Sequence, residues 1–327
     1  MDKRERTLNA MRGLPVDRVP TTFYRHLTAF GNDEESMIAG QVRSFLDSEM
    51  DFLVEETDGY MEYPLPGGDP KDLASWKGNI GLSRSHPFFT EQIERTKRLI
   101  DGIEAPLFFI IYTPLSFIKH TTLDETTIMG FYKEDRKTLA EAMKVMEDVN
   151  FELMRRLKDE TDTTGFFVSM QQGEIDRFAK DEYMEYCYPW DERLTNYANE
   201  LAEDNIMHLC SWCGVPNNLD LWTGLDFKVV NWSVNIEKDL DMRRAREFFR
   251  PGTVLMGGFD NRAGKLLHTG SEDEIRKETI RQIQLAGGQD AMILCADCSV
   301  QNDQDDRKLA AVAHAAQEYA EGRREIL

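Results

Sequence analysis

The sequence lacks long apolar runs. No stretch of about 18 consecutive apolar residues, the length needed to span a bilayer, occurs in it. The opening MDKRERTLNAMRG is charged and amphipathic, and it contains no continuous apolar segment of the kind that a secretory signal peptide needs. We therefore expect a cytoplasmic protein without a membrane partner.

Basic side chains are also scarce. The chain has 59 acidic and 39 basic residues, which gives a formal net charge of -20. A field of this sign repels nucleic-acid backbones, so we do not expect nucleic acid as a partner. The sequence shows no low-complexity segment, internal repeat or composition shift, and we predict a single domain over residues 1–327.

Cysteine is rare, but four of the five cysteines lie in two C-x2-C motifs. Cys210 and Cys213 form one pair, Cys295 and Cys298 form the other, and Cys187 stands alone. In a chain without a secretion signal we expect reduced thiols, and clustered reduced thiols bind metal more often than they form disulfides.

Short apolar runs alternate with segments of helical spacing, which predicts repeated βαβ units. The predicted fold is α/β, a (β/α)8 TIM barrel with an N-terminal helical extension, and a doubly wound open sheet is the alternative. The predicted strands are VPTTFY (19–24), DFLVE (51–55), LFFIIY (107–112), GFFVSM (165–170), IMHLCS (206–211), KVVNW (228–232), TVLMGG (253–258) and MILCA (292–296).

A candidate metal site lies at the ends of two predicted strands. His208 and Cys210 are two residues apart on the fifth, so the two-residue period of a strand places both side chains on one face. Cys298 follows the eighth, and active sites of TIM barrels lie at the carboxyl ends of the strands. Two thiolates and one imidazole suit Zn²⁺ and leave a fourth position open for substrate. We predict an open, catalytic zinc site.

Two other interpretations of the cysteines stay open. Cys210, Cys213, Cys295 and Cys298 have the C-x2-C…C-x2-C form of a closed structural zinc site. The thiols also fit a role as small buried side chains. In the open site, a carboxylate such as Glu55, Glu174 or Asp260 is a candidate fourth ligand that would yield to substrate.

Polar residues near the other predicted strand ends are candidates for substrate binding, although each also fits a role as a cap of the following helix. The selected residues are Tyr24, Glu55, Tyr112, Gln172 and Asp260. For His86, His120, His268 and His314 we expect packed or solvated side chains.

The opening RERTLNAMRGLPVDRVPTTFYR resembles the N-terminal signature of the uroporphyrinogen decarboxylase superfamily, R-x-x-x-A-x-x-G-x-x-x-D-R-V-P. Segments 181–194, 254–279 and 292–300 are similar to later landmarks of that group. In the decarboxylase branch a basic run that grips the porphyrin carboxylates follows the signature. Here the matching stretch is FYRHLTAFG, which disfavours porphyrin decarboxylation.

The chain is similar instead to the methylcobamide:coenzyme M methyltransferase branch, which carries H-x-C and a later cysteine as zinc ligands. His208 and Cys210 match the first part and Cys298 the second, with Cys295 as the alternative, while Cys213 lies outside the pattern. The resemblance implies zinc-dependent methyl transfer between methylcobalamin on a partner corrinoid protein and a thiol or small methylated substrate.

Other functions stay open at this point. One is an accessory protein that holds a corrinoid or tetrapyrrole and has a closed zinc site. Another is a decarboxylase of a smaller, non-porphyrin acid, which would need no metal. The sequence leaves the direction of methyl transfer and the oligomeric state open, with a homodimer as one alternative.

Overall fold

The computed structural model describes residues 1–27, 33–57, 62–211, 214–237 and 239–325. Within these residues, seven strands form one sheet in chain order, and every neighbouring pair is parallel. The strands are β1 (Leu53–Glu55), β2 (Leu107–Tyr112), β3 (Gly165–Met170), β4 (Ile206–Leu209), β5 (Val229–Trp232), β6 (Val254–Phe259) and β7 (Met292–Ala296).

Helices precede, connect and follow these strands, so the chain alternates strand and helix as predicted. The exception is the connection from β4 to β5, whose described residues contain a short 3-10 helix, Leu219–Trp222, in place of an α-helix. The described α-helices are α1 (Lys3–Met11), α2 (Glu34–Asp47), α3 (Pro87–Ile103), α4 (Pro114–Thr122), α5 (Glu125–Glu134), α6 (Arg136–Glu160), α7 (Lys180–Tyr186), α8 (Tyr188–Leu201), α9 (Met242–Phe248), α10 (Leu266–Thr269), α11 (Glu272–Leu285) and α12 (Asp306–Ala320).

The strands are buried on both faces, as their sequences predict. Every residue of β2 (LFFIIY) and β3 (GFFVSM) is buried, because one face meets the barrel interior and the other meets helices. The observed bounds of these two strands coincide with the predicted ones. The TIM-barrel fold class is confirmed.

The first predicted strand, 19–24, is the exception, because the structure has no regular strand there. Residues 20–25, which we call the closing segment, form isolated parallel bridges between Thr21 and Leu294 and between Arg25 and Val300. On the other side, the backbone N–H of Asp51 donates to the carbonyl of Thr21 at 2.9 Å. The closing segment therefore joins β7 to the chain entering β1 and takes the place of the eighth strand.

The closing segment pairs with β7, where the Thr22 amide donates to the carbonyl of Leu294, but on the side of β1 two of its amides bond to side chains instead of a strand. Pro20 has no N–H to donate. The N–H of Thr21 donates to the carboxylate of Asp51 at 2.8 Å, and the N–H of Phe23 lies 2.9 Å from the sulfur of Met50. The pattern of apolar residues in the sequence does not reveal that side chains, and not a neighbouring strand, bind these two amides.

Asp51 is the centre of a buried ion cluster at the N-terminal end of the barrel. Its side chain is fully buried. It accepts hydrogen bonds from Arg6 at 2.7 Å and from Arg18 at 2.8 and 3.0 Å, in addition to the Thr21 amide. Arg6 also binds Asp17 through two bonds of 2.7 and 2.8 Å. The charged residues of the opening motif therefore tie α1 and the closing segment to β1.

One apolar core includes the strands and the helices around them. Buried side chains from Ala10 to Tyr319 belong to a single cluster, so the first and last helices pack into the same core as the sheet. No helix in the described part of the chain combines the length and the apolar character needed to cross a bilayer.

We expect Asp51→Ala to lower the free energy of unfolding by about 3–5 kcal/mol, because it leaves two guanidinium groups without their buried counter-charge. Urea denaturation followed by circular dichroism measures this change. Asp47→Ala, which removes an exposed carboxylate at the end of α2, is the control and should change stability by less than about 0.5 kcal/mol. Similar midpoints for the two variants would contradict a structural role for the cluster.

Candidate metal centre

Three side chains meet at the carboxyl ends of two strands that are not neighbours. His208 lies on β4, Cys210 follows its last residue, and Cys298 lies in the loop after β7. The Cys210 and Cys298 sulfurs are 3.9 Å apart, and the Cys298 sulfur is 3.7 Å from His208 Nε2. All three potential ligand atoms lie within 4.8 Å of one another. The structure thus brings together the three predicted ligands.

Two of the three separations between these atoms are close to those around a tetrahedral zinc ion. Zn–S bonds of about 2.3 Å and Zn–N bonds of about 2.0–2.1 Å place two sulfurs about 3.8 Å apart and a sulfur and a nitrogen about 3.6 Å apart. The observed 3.9 and 3.7 Å are close to both values. The donor set, two thiols and one imidazole, is also the set that zinc prefers.

Asn231 of β5 orients the imidazole of His208. The Asn231 amide nitrogen donates to the carbonyls of Met256 at 3.0 Å and Ala296 at 3.1 Å, so the amide oxygen must face the histidine. That oxygen lies 2.6 Å from His208 Nδ1, which therefore carries the hydrogen. In the neutral ring, Nε2 then presents its lone pair toward Cys298 and can bind a metal.

The two thiols share a hydrogen bond that lowers the pKa of Cys298 and raises the pKa of Cys210. The bond from Cys210 and the contact with His208 lower the pKa of Cys298 well below its ordinary value, although burial opposes this shift. The same bond, together with burial, raises the pKa of Cys210. Cys298 is therefore the thiol that gives up its proton first.

The other cysteines do not join this cluster in the described residues. Cys295 is fully buried in the apolar core, and burial raises the pKa of its thiol above the ordinary range. Cys187 is buried between α7 and α8, and Cys213 lies outside the described residues. A closed site that includes Cys295 does not match this arrangement.

The three residues lie at the barrel mouth, and a cavity of about 1030 Å³ extends outward from Cys210 and Cys298. This volume accommodates a small substrate together with part of a larger group. Its wall mixes aromatic, apolar, amide and charged side chains, among them His26, Glu62, Tyr112, His120, Leu123, Ile236, Asn261, Arg262, Ser299 and Asp303.

The structure places two of the five predicted substrate-binding residues beside the cluster. The ring of Tyr24 lies against His208 with centroids 6.2 Å apart, and Tyr112 lines the cavity. Gln172 is fully buried and is not part of the cavity wall. Asp260 also lies off the wall, where it forms an ion pair with Arg262 at 2.6 Å.

Glu55 lies away from the mouth. Its fully buried carboxylate accepts a 2.8 Å hydrogen bond from Thr96 of α3, which packs outside the sheet. Burial raises the pKa of this carboxyl to about 7, although Arg95 and Thr96 oppose the shift. The next residue, Glu56, is the one near the site, with an oxygen 3.4 Å from His26 Nδ1. Glu174 is fully buried, and none of the three candidate fourth ligands, Glu55, Glu174 and Asp260, is within the cluster.

Sequence reasoning missed two features of the site. Asn231 was not selected, although an amide inside the apolar strand KVVNW is a visible signal. His120 was expected to be a packed or solvated side chain. It is indeed packed, 3.9 Å from the Tyr112 ring between centroids, but it also lines the cavity. Its position on α4 gave no strand-end signal.

A model of the family described as uroporphyrinogen decarboxylase (URO-D) matches residues 49–319 of the chain. The chain belongs to the uroporphyrinogen decarboxylase family. No curated protein sequence matches it.

Two solved structures share the fold of this uroporphyrinogen decarboxylase family member. A methyltransferase from Methanosarcina mazei superposes with a TM-score of 0.76 at 15% identity, over 98% of this chain and 99% of that one. An endo-1,4-beta-mannanase from Rhizomucor miehei gives a TM-score of 0.52 at 9% identity, over 93% of this chain and 95% of that one. At these identities the likeness shows the fold alone.

We expect Asn231→Ala in this family member to weaken zinc binding about 10–100-fold, because His208 loses the partner that sets its tautomer. Competition with a chromophoric chelator measures the affinity. Asn205→Ala is a matched control, since Asn205 is also a buried amide that donates to backbone carbonyls, those of Ala198 and Ala202, outside the cluster. Equal affinities in the two variants would argue against the orienting role.

We expect Glu55→Gln to gain stability relative to the wild type as the pH rises. Between its ordinary pKa of 4.5 and its folded pKa of about 7, the folded protein holds a proton that the unfolded chain has lost. Wild-type stability therefore falls across this window, by about 3 kcal/mol from this group, and the amide removes that loss. Urea denaturation at pH 4.5 through 8 measures the difference, and parallel profiles would contradict the shifted pKa.

Proposed function

We propose that the chain is a zinc-dependent methyltransferase. It moves a methyl group between a corrinoid, methylcobalamin, carried by a partner protein and a thiol or small methylated substrate. The observation that carries the proposal is the meeting of His208, Cys210 and Cys298, two of which, Cys210 and Cys298, line an open cavity. The methyltransferase from Methanosarcina mazei, which shares the fold, supports it.

The three residues supply what a catalytic zinc site needs and leave room beside it. Cys210 and Cys298 provide sulfurs that face one another, and Asn231 holds His208 with Nε2 toward them. A bound zinc ion would stabilise a substrate thiol as its thiolate at neutral pH, which makes the sulfur a methyl acceptor. Three protein ligands keep the fourth position available to that thiol.

The chain's own residues position the reactants. The cavity opens from the two cysteines toward solvent, so a methyl carrier on another protein can approach the substrate from outside. Tyr112 and His120, stacked on the wall, provide an apolar surface that orients a small substrate. Holding sulfur and methyl group in line in this way lowers the entropic part of the barrier.

The alternatives have less support. A closed four-sulfur site needs Cys295, which packs in the apolar core instead of facing Cys298. A metal-free decarboxylase gives no role to two thiols and an imidazole whose potential ligand atoms lie within 4.8 Å of one another. The methyltransferase uses all three residues.

We expect the purified protein to retain about one zinc ion per chain after dialysis, and Cys298→Ala to lose most of it. Cys295→Ala is the matched control, because it removes a thiol three residues away that lies outside the cluster, and it should keep its zinc. Elemental analysis under reducing conditions measures the metal. Retention in Cys298→Ala with loss in Cys295→Ala would assign the third ligand to the other cysteine.

We expect the wild type to consume methylcobalamin in the presence of a thiol acceptor, which is followed by the change in corrinoid absorbance. Cys210→Ala and Cys298→Ala should be inactive, since each removes a predicted ligand, and Cys295→Ala should remain active. Activity that survives complete removal of zinc would contradict the proposed mechanism and favour a metal-free enzyme.

A further inference from the structure

The chain turns sharply after β5, and this turn contacts each part of the barrel mouth that carries a predicted ligand. Backbone bonds of 2.9 Å from the N–H groups of Ile236 and Glu237 to the carbonyl of Ser233 close one helical turn directly after the strand. We call residues 231–237, which are the end of β5 and this helical turn together, the β5 turn. The strand and the two backbone bonds fix its backbone, and the backbone fixes the directions of its polar side chains.

The end of the β5 turn holds the segment that carries Cys210. One carboxylate oxygen of Glu237 accepts from the Ser211 hydroxyl at 3.0 Å and from the Asn217 backbone N–H at 2.7 Å. The Asn217 side chain in turn donates to the carbonyl of Cys210 at 3.1 Å and to the Ser211 hydroxyl at 2.9 Å. Glu237, Ser211 and Asn217 are all buried, so these bonds are shielded from competing water.

The middle of the β5 turn holds the segment that carries Cys298. The backbone N–H and the side-chain amide of Asn235 donate to the two carboxylate oxygens of Asp297, at 2.9 and 3.1 Å. Asp297 is buried and directly precedes Cys298. The start of the turn, Asn231, bonds to His208 as described above.

We infer that the β5 turn is a template that positions all three ligands of the centre, and that Glu237 and Asp297 are positioning residues for Cys210 and Cys298. The inference rests on the proposed zinc site. Each ligand lies at the end of a strand or in a loop, where the backbone is less constrained than within the sheet. One short turn that binds all three segments keeps their separations fixed relative to one another.

Fixed separations between the three ligands matter for metal affinity. Ligands that are already ordered in the free protein lose less conformational entropy when the metal binds, so the affinity is higher. Partners of the ligands typically contribute 10–100-fold to metal affinity. A loosened Cys210 segment would also change the angle between the sulfurs, since the 3.9 Å separation depends on both loops. The expected signature is therefore a change in both affinity and coordination geometry.

The test compares Glu237→Ala, Glu237→Gln and Asp297→Ala with the wild type. Glutamine keeps an oxygen that can accept from Ser211 and Asn217, so it should restore what alanine removes. Asp241→Ala is the control, because Asp241 is also a carboxylate that accepts two backbone amides, of Arg243 and Arg244, but at the start of α9.

Two measurements are made on each protein. Zinc affinity is obtained by competition with a chromophoric chelator, and the thiolate-to-cobalt charge-transfer bands of the Co²⁺-loaded protein report the geometry of the two sulfurs. We expect Glu237→Ala and Asp297→Ala to bind zinc about 10–100-fold more weakly and to show shifted or weakened bands. Glu237→Gln and Asp241→Ala should match the wild type in both.

Wild-type affinity and spectra in Glu237→Ala and Asp297→Ala would overturn the template while leaving the proposed zinc site intact. A loss in Asp241→Ala equal to that in Glu237→Ala would also overturn it, since the effect would then follow general stability. A wild-type protein that binds neither zinc nor cobalt would overturn the proposed function, and the template with it.

Discussion

The buried carboxylate of Asp51 determines how the sheet closes on itself. Seven strands alone leave two edges, at β1 and β7, and an open edge would leave unpaired backbone groups. The closing segment fills this gap without forming a regular strand, because Asp51 binds the Thr21 amide and is itself neutralised by Arg6 and Arg18. An ion cluster thus takes the place of part of a strand ladder on the β1 side of the closing segment.

Closure of the sheet into a barrel brings together the residues of the candidate metal centre. β4 and β7 are separated by two strands in the sheet, so His208 and Cys298 meet only because the sheet curves round to face itself. The amide of Asn231 crosses the interior, with bonds to His208 of β4, to Met256 of β6 and to Ala296 of β7. One side chain therefore couples the positions of four strands at the level of the site.

The sequence predicted the fold and two of the three potential ligands from regular periods. Apolar runs of strand length located all seven strands, and the two-residue spacing of His208 and Cys210 placed them on one face. Cys298 was harder, since the chain leaves β7 at Ala296 and strand parity no longer applies. Its position after the eighth predicted strand and the family resemblance indicated it, and the structure puts its sulfur, not that of Cys295, beside the other two donors.

What the sequence could not predict depends on contacts between distant segments. Glu55 and Glu56 are adjacent at the end of β1, so their side chains point to opposite sides of the sheet. Only the assembled fold decides that Glu55 meets Thr96 of α3 while Glu56 lies beside the three candidate ligands. The same holds for the irregular closing segment, whose amides bind Asp51 and Met50. A single-sequence pattern encodes which residues are apolar, but it does not encode which partner each of two neighbouring carboxylates meets.

The chemistry of the candidate centre depends on its donor atoms more than on the charge of the protein. The net charge of -20 is distributed over the whole chain, where salt screens exposed charges within about 10 Å at 0.1 M ionic strength. At the cavity, the buried Cys210 and the partly exposed Cys298 share a hydrogen bond, and His208 lies beside Cys298. Two sulfurs and one imidazole nitrogen suit a cation that binds sulfur strongly and takes few ligands. Under the proposed function, selectivity for such a metal would arise from the donor atoms and their separations, and the surrounding acidity would contribute little to it.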